Sequence, residues 1–160
     1  MAHASMPDEF YDIVVHHLPP EEPVGGRTPI GHYEVLRVVW YVFVTGVRWR
    51  DVPEEMACSG ETARCRLRDW QNAGIWDRVH LDMLRLLRRD GELEHGTASI
   101  DSPQIRAIGG GDHTGPGPVD RHKLGTQFAL MTNRNGVPLA ITIAGANRSD
   151  QREILPILQN

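Results

Sequence analysis

The sequence predicts an α+β protein in which a helical half, residues 1–94, precedes a β-rich half, residues 95–160. Three observations predict it. Up to Gly91 the apolar residues recur at helical spacing, most clearly in "IWDRVHLDMLRLLRRDG", where Trp76, Val79, Met83 and Leu87 form one stripe. After Gly96 the spacing shortens to that of strands, and "TQFALMT" and "VPLAITIAG" flank "NRNG", a strong hairpin signal. The short β-like "TASID" comes before that hairpin across the glycine-rich "GGGDHTGPGP". The second half therefore predicts an antiparallel three-strand meander and a closing helix.

Each element has a local reason. "PDEFYDIVVHHL" is a first helix by the spacing of Phe10, Ile13, Val14 and His17 or Leu18, and "PPEEPVGGRTPI" is a linker by its prolines and glycines. "HYEVLRVVWYVFVTG" is apolar almost all round, which suits a buried helix ended by Gly46. "VRWRDVPEEM" is a turn with room for one helical turn. "SGETARCRLRDWQNAG" opens on Ser59 as N-cap and stops at Gly74, and the next helix carries basic residues in its last turn, as the helix dipole favours. "SDQREILPILQN" starts a last helix at Ser149 or Asp150, which Pro156 would kink.

Composition excludes several classes. At 40% hydrophobic and 24% charged the chain is globular rather than disordered, and no apolar run reaches the roughly 18 residues of a membrane helix. The start, "MAHASMPDEF", lacks the pattern of a signal peptide, and Cys58 and Cys65 make neither a disulfide framework nor a zinc set, so a cytoplasmic protein with no membrane partner is expected. The net charge of −4 weighs against nucleic acid in bulk, but Arg64, Arg66, Arg68, Arg78, Arg85, Arg88 and Arg89 concentrate late in the helical half.

That half holds a candidate DNA reader. A buried helix, a tight turn and a capped second helix form a helix-turn-helix layout. On the second helix Ala63, Leu67 and Trp70 make the inward stripe. Arg64, Arg68 and Gln71 gather on an outer flank where phosphates or guanine edges are within reach, and Arg66 lies beside the inward stripe. The plain alternative is a solvated face with Glu61 paired to Arg64. In the second half Arg121 and Lys123, in "DRHKLG", form either a phosphate clamp or a soluble loop, and His113, Asp120 and His122 make at most a weak metal constellation. The glycine-rich run lacks the Lys-Ser/Thr of a phosphate-binding loop. Asp101 stands at the end of "TASID" without a local explanation.

The order "GRTPIGHYEVLRVVWYVFVTGVRWRDVPEEM", "RLRDWQNAGIWDRV", "SIDSPQIRA" and "TGPGPVDRHKLGTQFALMTNRNGVPLAITIAGANRSD" resembles the DDE transposases of bacterial insertion sequences, in the IS-four/IS-five superfamily. The resemblance runs from about residue 7 to residue 158, and "TGVRWRDVP", "W..AGIWDRV" and "G.PLA...AGAN..D" are its specific pieces. It implies a helix-turn-helix that binds double-stranded DNA at the element's terminal repeats, followed by the first part of an RNase H-like catalytic domain. Asp101, followed by Ser102, is then the first metal-binding carboxylate. Such enzymes hold two Mg²⁺ ions about 4 Å apart on hard oxygen ligands.

This sequence departs from that pattern. Pro103 replaces the usual Thr, Gln127 and Phe128 stand where a Lys or Arg is expected, and the two further acids fall beyond Asn160. The resemblance thus implies a truncated transposase that binds Mg²⁺ weakly or not at all and grips element-end DNA without cleaving it. It also implies an open edge on the first strand, inviting a second copy or a partner chain. The other function class is a helix-turn-helix regulator with a small C-terminal interaction domain.

Overall fold

A computed structural model describes residues 5–23, 29–93, 97–118, 121–149 and 156–158. Four helices are followed by an open antiparallel sheet: α1 (Asp8–Val15), α2 (His32–Thr45), a 3₁₀ turn (Trp49–Asp51), α3 (Gly60–Asn72), α4 (Ile75–Arg89), then β1 (Ala98–Asp101), β2 (Gln104–Arg106), β3 (Gly115–Pro116), β4 (Leu124–Asn133) and β5 (Pro138–Gly145). The chain divides into two compact units, Met1–Arg85 and Leu86–Asn160.

In the first unit burial overrides propensity. α2 is rich in valine, a poor helix former, yet Val35, Leu36, Val38, Val39 and Val42 are buried, and tertiary packing stabilises the helix. Its N-terminus has no side-chain cap from Gly31; instead the Glu21 carboxylate accepts from the His32 N–H, where the helix dipole favours an anion. The His32 ring bonds the Pro19 carbonyl oxygen at 2.7 Å, so residues 19–21 are fastened to the helix start. Gly46 ends α2 in the left-handed region at φ 69°. One expectation fails: α2 is not buried all round, since Phe43 is 66% and Val44 47% exposed. Both lie in the last turn of α2 and line an open groove.

Ser59 caps α3 by accepting from the Thr62 N–H at 3.2 Å. Gly60 follows because α3 starts against the 3₁₀ turn: a Cβ there would overlap the Trp49 carbonyl. Ala63 and Trp70 face the core, with Trp70 edge-on to His32 and Trp76 at 5.5 and 6.0 Å.

The second unit has more strands than the sequence pattern predicts. β1 and β2 both pair with β4 in one unbroken register: Ala98 opposite Asn133, Asp101 opposite Leu130, Gln104 opposite Gln127, Arg106 opposite Gly125. Across the Ser102-Pro103 gap the Pro103 carbonyl still accepts from the Phe128 N–H at 3.2 Å. They are one strand interrupted where proline has no N–H to give. β3 is a two-residue pairing with Leu124–Gly125 inside the glycine-rich segment. β5 lies antiparallel to β4 with a register shift near Met131/Thr132, joined by the expected Asn-Gly turn with Gly136 at φ 79°. Residues directly opposite share a face. Ala129, Met131 and Ala140 share one, and Ile157, in the helical turn 156–158, buries against it. The start of that last helix, at Asp150, lies outside the described residues.

Candidate nucleic-acid interface

With Ala63 and Trp70 buried, the outer side of α3 presents Arg64, Arg68 and Gln71, all exposed and spaced to lie on one flank. Arg66 is half-buried, nearer the core stripe. The flank is not evenly charged. Arg64 makes a two-pronged bond to Glu61, Nε to Oε2 at 2.9 Å and Nη2 to Oε1 at 2.6 Å. That bond, with a smaller part from the Cys65 thiol, holds the Glu61 carboxyl down at about 2 and raises Arg64. Among the described residues Arg68 comes within ion-pair distance of the Asp69 carboxylate, at 4.0 Å, and its side chain is 59% exposed. Arg68 is therefore the less committed cation.

These three side chains also rim an apolar groove of about 860 Å³, whose floor and walls include Phe43, Trp49 and Trp76. Leu67, assigned to the inward stripe by its spacing, is only half-buried and lines that groove. The groove escapes sequence inspection because its lining comes from α1, α2, the 3₁₀ turn, α3 and α4 together.

In the sheet unit, Asp101 is exposed and its Oδ1 accepts from the Ser102 N–H at 2.9 Å. Among the described residues no group of three or more His, Cys, Asp and Glu side chains is arranged to hold a metal. The described residues therefore do not by themselves assemble a two-Mg²⁺ site around Asp101. Arg121 and Lys123 are exposed in the turn that leads into β4, where Arg121 and His122 both adopt positive φ, 51° and 59°. His113 is exposed as well, and Asp120 lies outside the described residues. Gln127, where the resemblance leads one to expect a basic residue, is fully buried and accepts from Gln104 Nε2 at 3.2 Å. A charge at that depth would need a partner. Thus Arg64, Arg68 and Gln71 come together on α3, Arg121 and Lys123 share a turn in the other unit, and Asp101 is in no metal-holding group of three or more among the described residues.

A family described as "Putative transposase of IS4/5 family" matches residues 6–80, which take in the whole α3 flank. Among known proteins, the "Insertion element IS402 uncharacterized 16.2 kDa protein" of Burkholderia cepacia is 42% identical over 123 residues, 74% of this chain and 84% of that protein. The chain belongs to this IS4/5 insertion-element family. A second IS402 protein, "Putative transposase for insertion sequence element IS402", is 42% identical over 45 residues, which is 28% of this chain but 21% of that protein. No solved structure matches the chain. Among the described residues no helix is long and apolar enough to cross a membrane.

Proposed function

We propose that this chain serves insertion-element transposition by gripping double-stranded DNA at the element's terminal repeats through its helical unit, without cutting it. The observation that carries this reading is the Arg64, Arg68 and Gln71 flank on a capped α3 that follows a buried helix and a tight turn. Side chains so placed suit base edges in the major groove: Arg for guanine, Gln for adenine. Arg66, half-buried, contributes least, and Arg121 with Lys123, exposed in the turn before β4, is a separate candidate for a phosphate. The sheet is read as RNase H-like, with Asp101 as a metal-binding carboxylate. Among the described residues no group of three or more ligand side chains gathers there, so no cleavage step is assigned to it.

Binding of the full chain to duplexes carrying the repeats that flank its coding frame, measured across a salt series, tests this. Arg68→Ala weakens binding by about 1–3 kcal/mol if a base contact is lost, or lowers the salt slope by about 1 if the contact is to phosphate. Arg64→Ala does less, because Glu61 already holds that guanidinium. Supercoiled plasmid stays intact with Mg²⁺ or Mn²⁺. Binding indifferent to Arg68 removes α3 from the reader's role, and cleavage abolished by Asp101→Asn overturns the non-cutting reading. A regulator would use the same flank but prefer a site unrelated to the repeats.

A further inference from the structure

The apolar groove of the helical unit is a trench with unequal walls. One wall is α2, which offers Leu36, Trp40 and Phe43; the other is α3, which offers Arg64, Arg68 and Gln71. Both sets fall at i, i+4 and i+7, so each wall runs for two turns, about 10 Å at the rise of an α-helix. The α2 wall is apolar, and Phe43 stays 66% exposed at its end. The α3 wall carries the cations, and among the described residues no Asp or Glu lines the groove with them. Glu61 already holds Arg64 by two bonds, whereas Asp69 comes no nearer to Arg68 than 4.0 Å, so the larger share of the attraction is left to Arg68.

Shape and charge together select an occupant. A helix laid in a groove presents its anchors at i, i+3 or i+4, and i+7, which is the period and the length of this trench. Carboxylates along one side of such a helix would meet Arg68, and that charge match fixes which way round the helix lies. We propose that the groove seats an acidic amphipathic helix of another protein, apolar on one face and bearing Asp or Glu on the side that borders α3.

A second copy of this chain is a poorer match. Two grooves brought together across a two-fold axis set their arginines against each other. The acidic helix this chain could lend, α1, with Asp8 and Glu9 in its first turn, is already packed into its own core through Val14. The seat also has a consequence for DNA. Arg68 and Gln71 belong to the flank assigned to the duplex, so helix and duplex exclude one another, and an acidic partner holds the chain off element ends. That consequence rests on the DNA-binding reading; the seat itself does not.

The probe is a synthetic peptide of about 15 residues, marginal as a helix when alone, with Leu, Trp and Leu at i, i+4 and i+7 and Glu along one side. Its fluorescein-labelled form is titrated with the full chain in the absence of DNA, and anisotropy and difference circular dichroism are read. One-to-one binding with a gain of helix is expected. Phe43→Ser weakens it about tenfold or more, as loss of an anchor does. Arg68→Glu weakens it as well, and a peptide with Lys in place of Glu then binds the Arg68→Glu chain better than it binds the parent. Both replaced side chains are more than half exposed, so the melting temperatures hold. The proposal is overturned by a peptide that does not bind or binds without gaining helix, by binding indifferent to Phe43, or by failure of the charge exchange. Displacement of the peptide by an equal concentration of decanoate, which would make the groove a small-molecule site, or a homodimer that hides Phe43 overturns it too. In a separate arm the peptide is expected to displace an element-end duplex from the parent but not from Phe43→Ser, which keeps the DNA flank. Peptide and duplex bound together overturn the exclusion. A chain that takes the peptide and no duplex overturns the DNA reading and leaves the seat standing.

Discussion

The two units are held together by different means. In the helical unit the core gathers long side chains from the whole stretch between Met6 and Val79, among them Leu36, Trp70 and Ile75, with aromatic rings packed around them. In the sheet unit the buried cluster among the described residues is Ala129, Ala140 and Ile157 with Met131 against it, and larger isoleucines remain on the surface. One unit is fastened by burial, at roughly 25 cal/mol per Å² of apolar area; the other relies on a ladder of backbone bonds, each contributing about 1 kcal/mol net. A protein built this way concentrates its large buried side chains behind the α3 flank of Arg64, Arg68 and Gln71.

The largest test of that contrast is to remove one core side chain from each unit. Trp70→Ala costs about 3–5 kcal/mol and Ile157→Ala about 2–5 kcal/mol. Urea unfolding followed by amide exchange is expected to show two separate effects. Trp70→Ala strips protection from α2 and α3 and leaves residues 126–131 as they were; Ile157→Ala does the reverse. If either change melts both units together, the contrast between two kinds of core is wrong.

Glycine sharpens the comparison at smaller cost. Gly60 is needed for space, because a Cβ would strike the Trp49 backbone, which cannot swing away. Gly136 is needed for conformation, since at φ 79° nothing lies within 4 Å of its added Cβ. Gly60→Ala is expected to destabilise the helical unit by about 1–3 kcal/mol, as overpacking does. Gly136→Ala costs about 1–2 kcal/mol through the left-handed backbone alone, and Gly136→Asn recovers most of it because Asn visits that region readily. Asn at position 60 recovers nothing. Thermal melts of the four variants check the pattern.

How much was legible follows from the same contrast. The ends of α2 and α3 were readable because their signals are local: Gly46 in the left-handed region, the Ser59 cap, and Gly74 at φ 63°. β2 was not, because Ser102-Pro103 looks like the end of a strand and only the distant register with β4 shows that it resumes. β3 was not, because Gly-Pro carries no strand pattern and is held by pairing with Leu124–Gly125. At the candidate interface the flank of Arg64, Arg68 and Gln71 came from helical spacing. The groove beneath it did not, because its lining is gathered from α1, α2, the 3₁₀ turn, α3 and α4 together. The Glu61–Arg64 pair was weighed as the plain reading of that flank, and its geometry is present.

That pair yields the smallest effect, and its sign can be worked out. Glu61 is held down at about 2, below the usual 4.5, chiefly by its bond to Arg64. A carboxyl depressed in the folded state contributes stability that is fully present above its unfolded value and is lost as the pH falls through the folded one. The contribution therefore stands above about pH 4.5 and disappears toward pH 2. In Glu61→Gln the stability of the helical unit is expected to depend less on pH across that window, with little change at pH 7, since both groups are exposed and solvent screens the pair. The same variant releases the Arg64 guanidinium. At neutral pH it is then expected to bind element-end DNA more tightly than the parent, with a salt slope steeper by about 1 if Arg64 takes a phosphate. An unchanged slope and affinity would mean that Arg64 belongs to the solvated face and that Arg68 and Gln71 carry the flank without it.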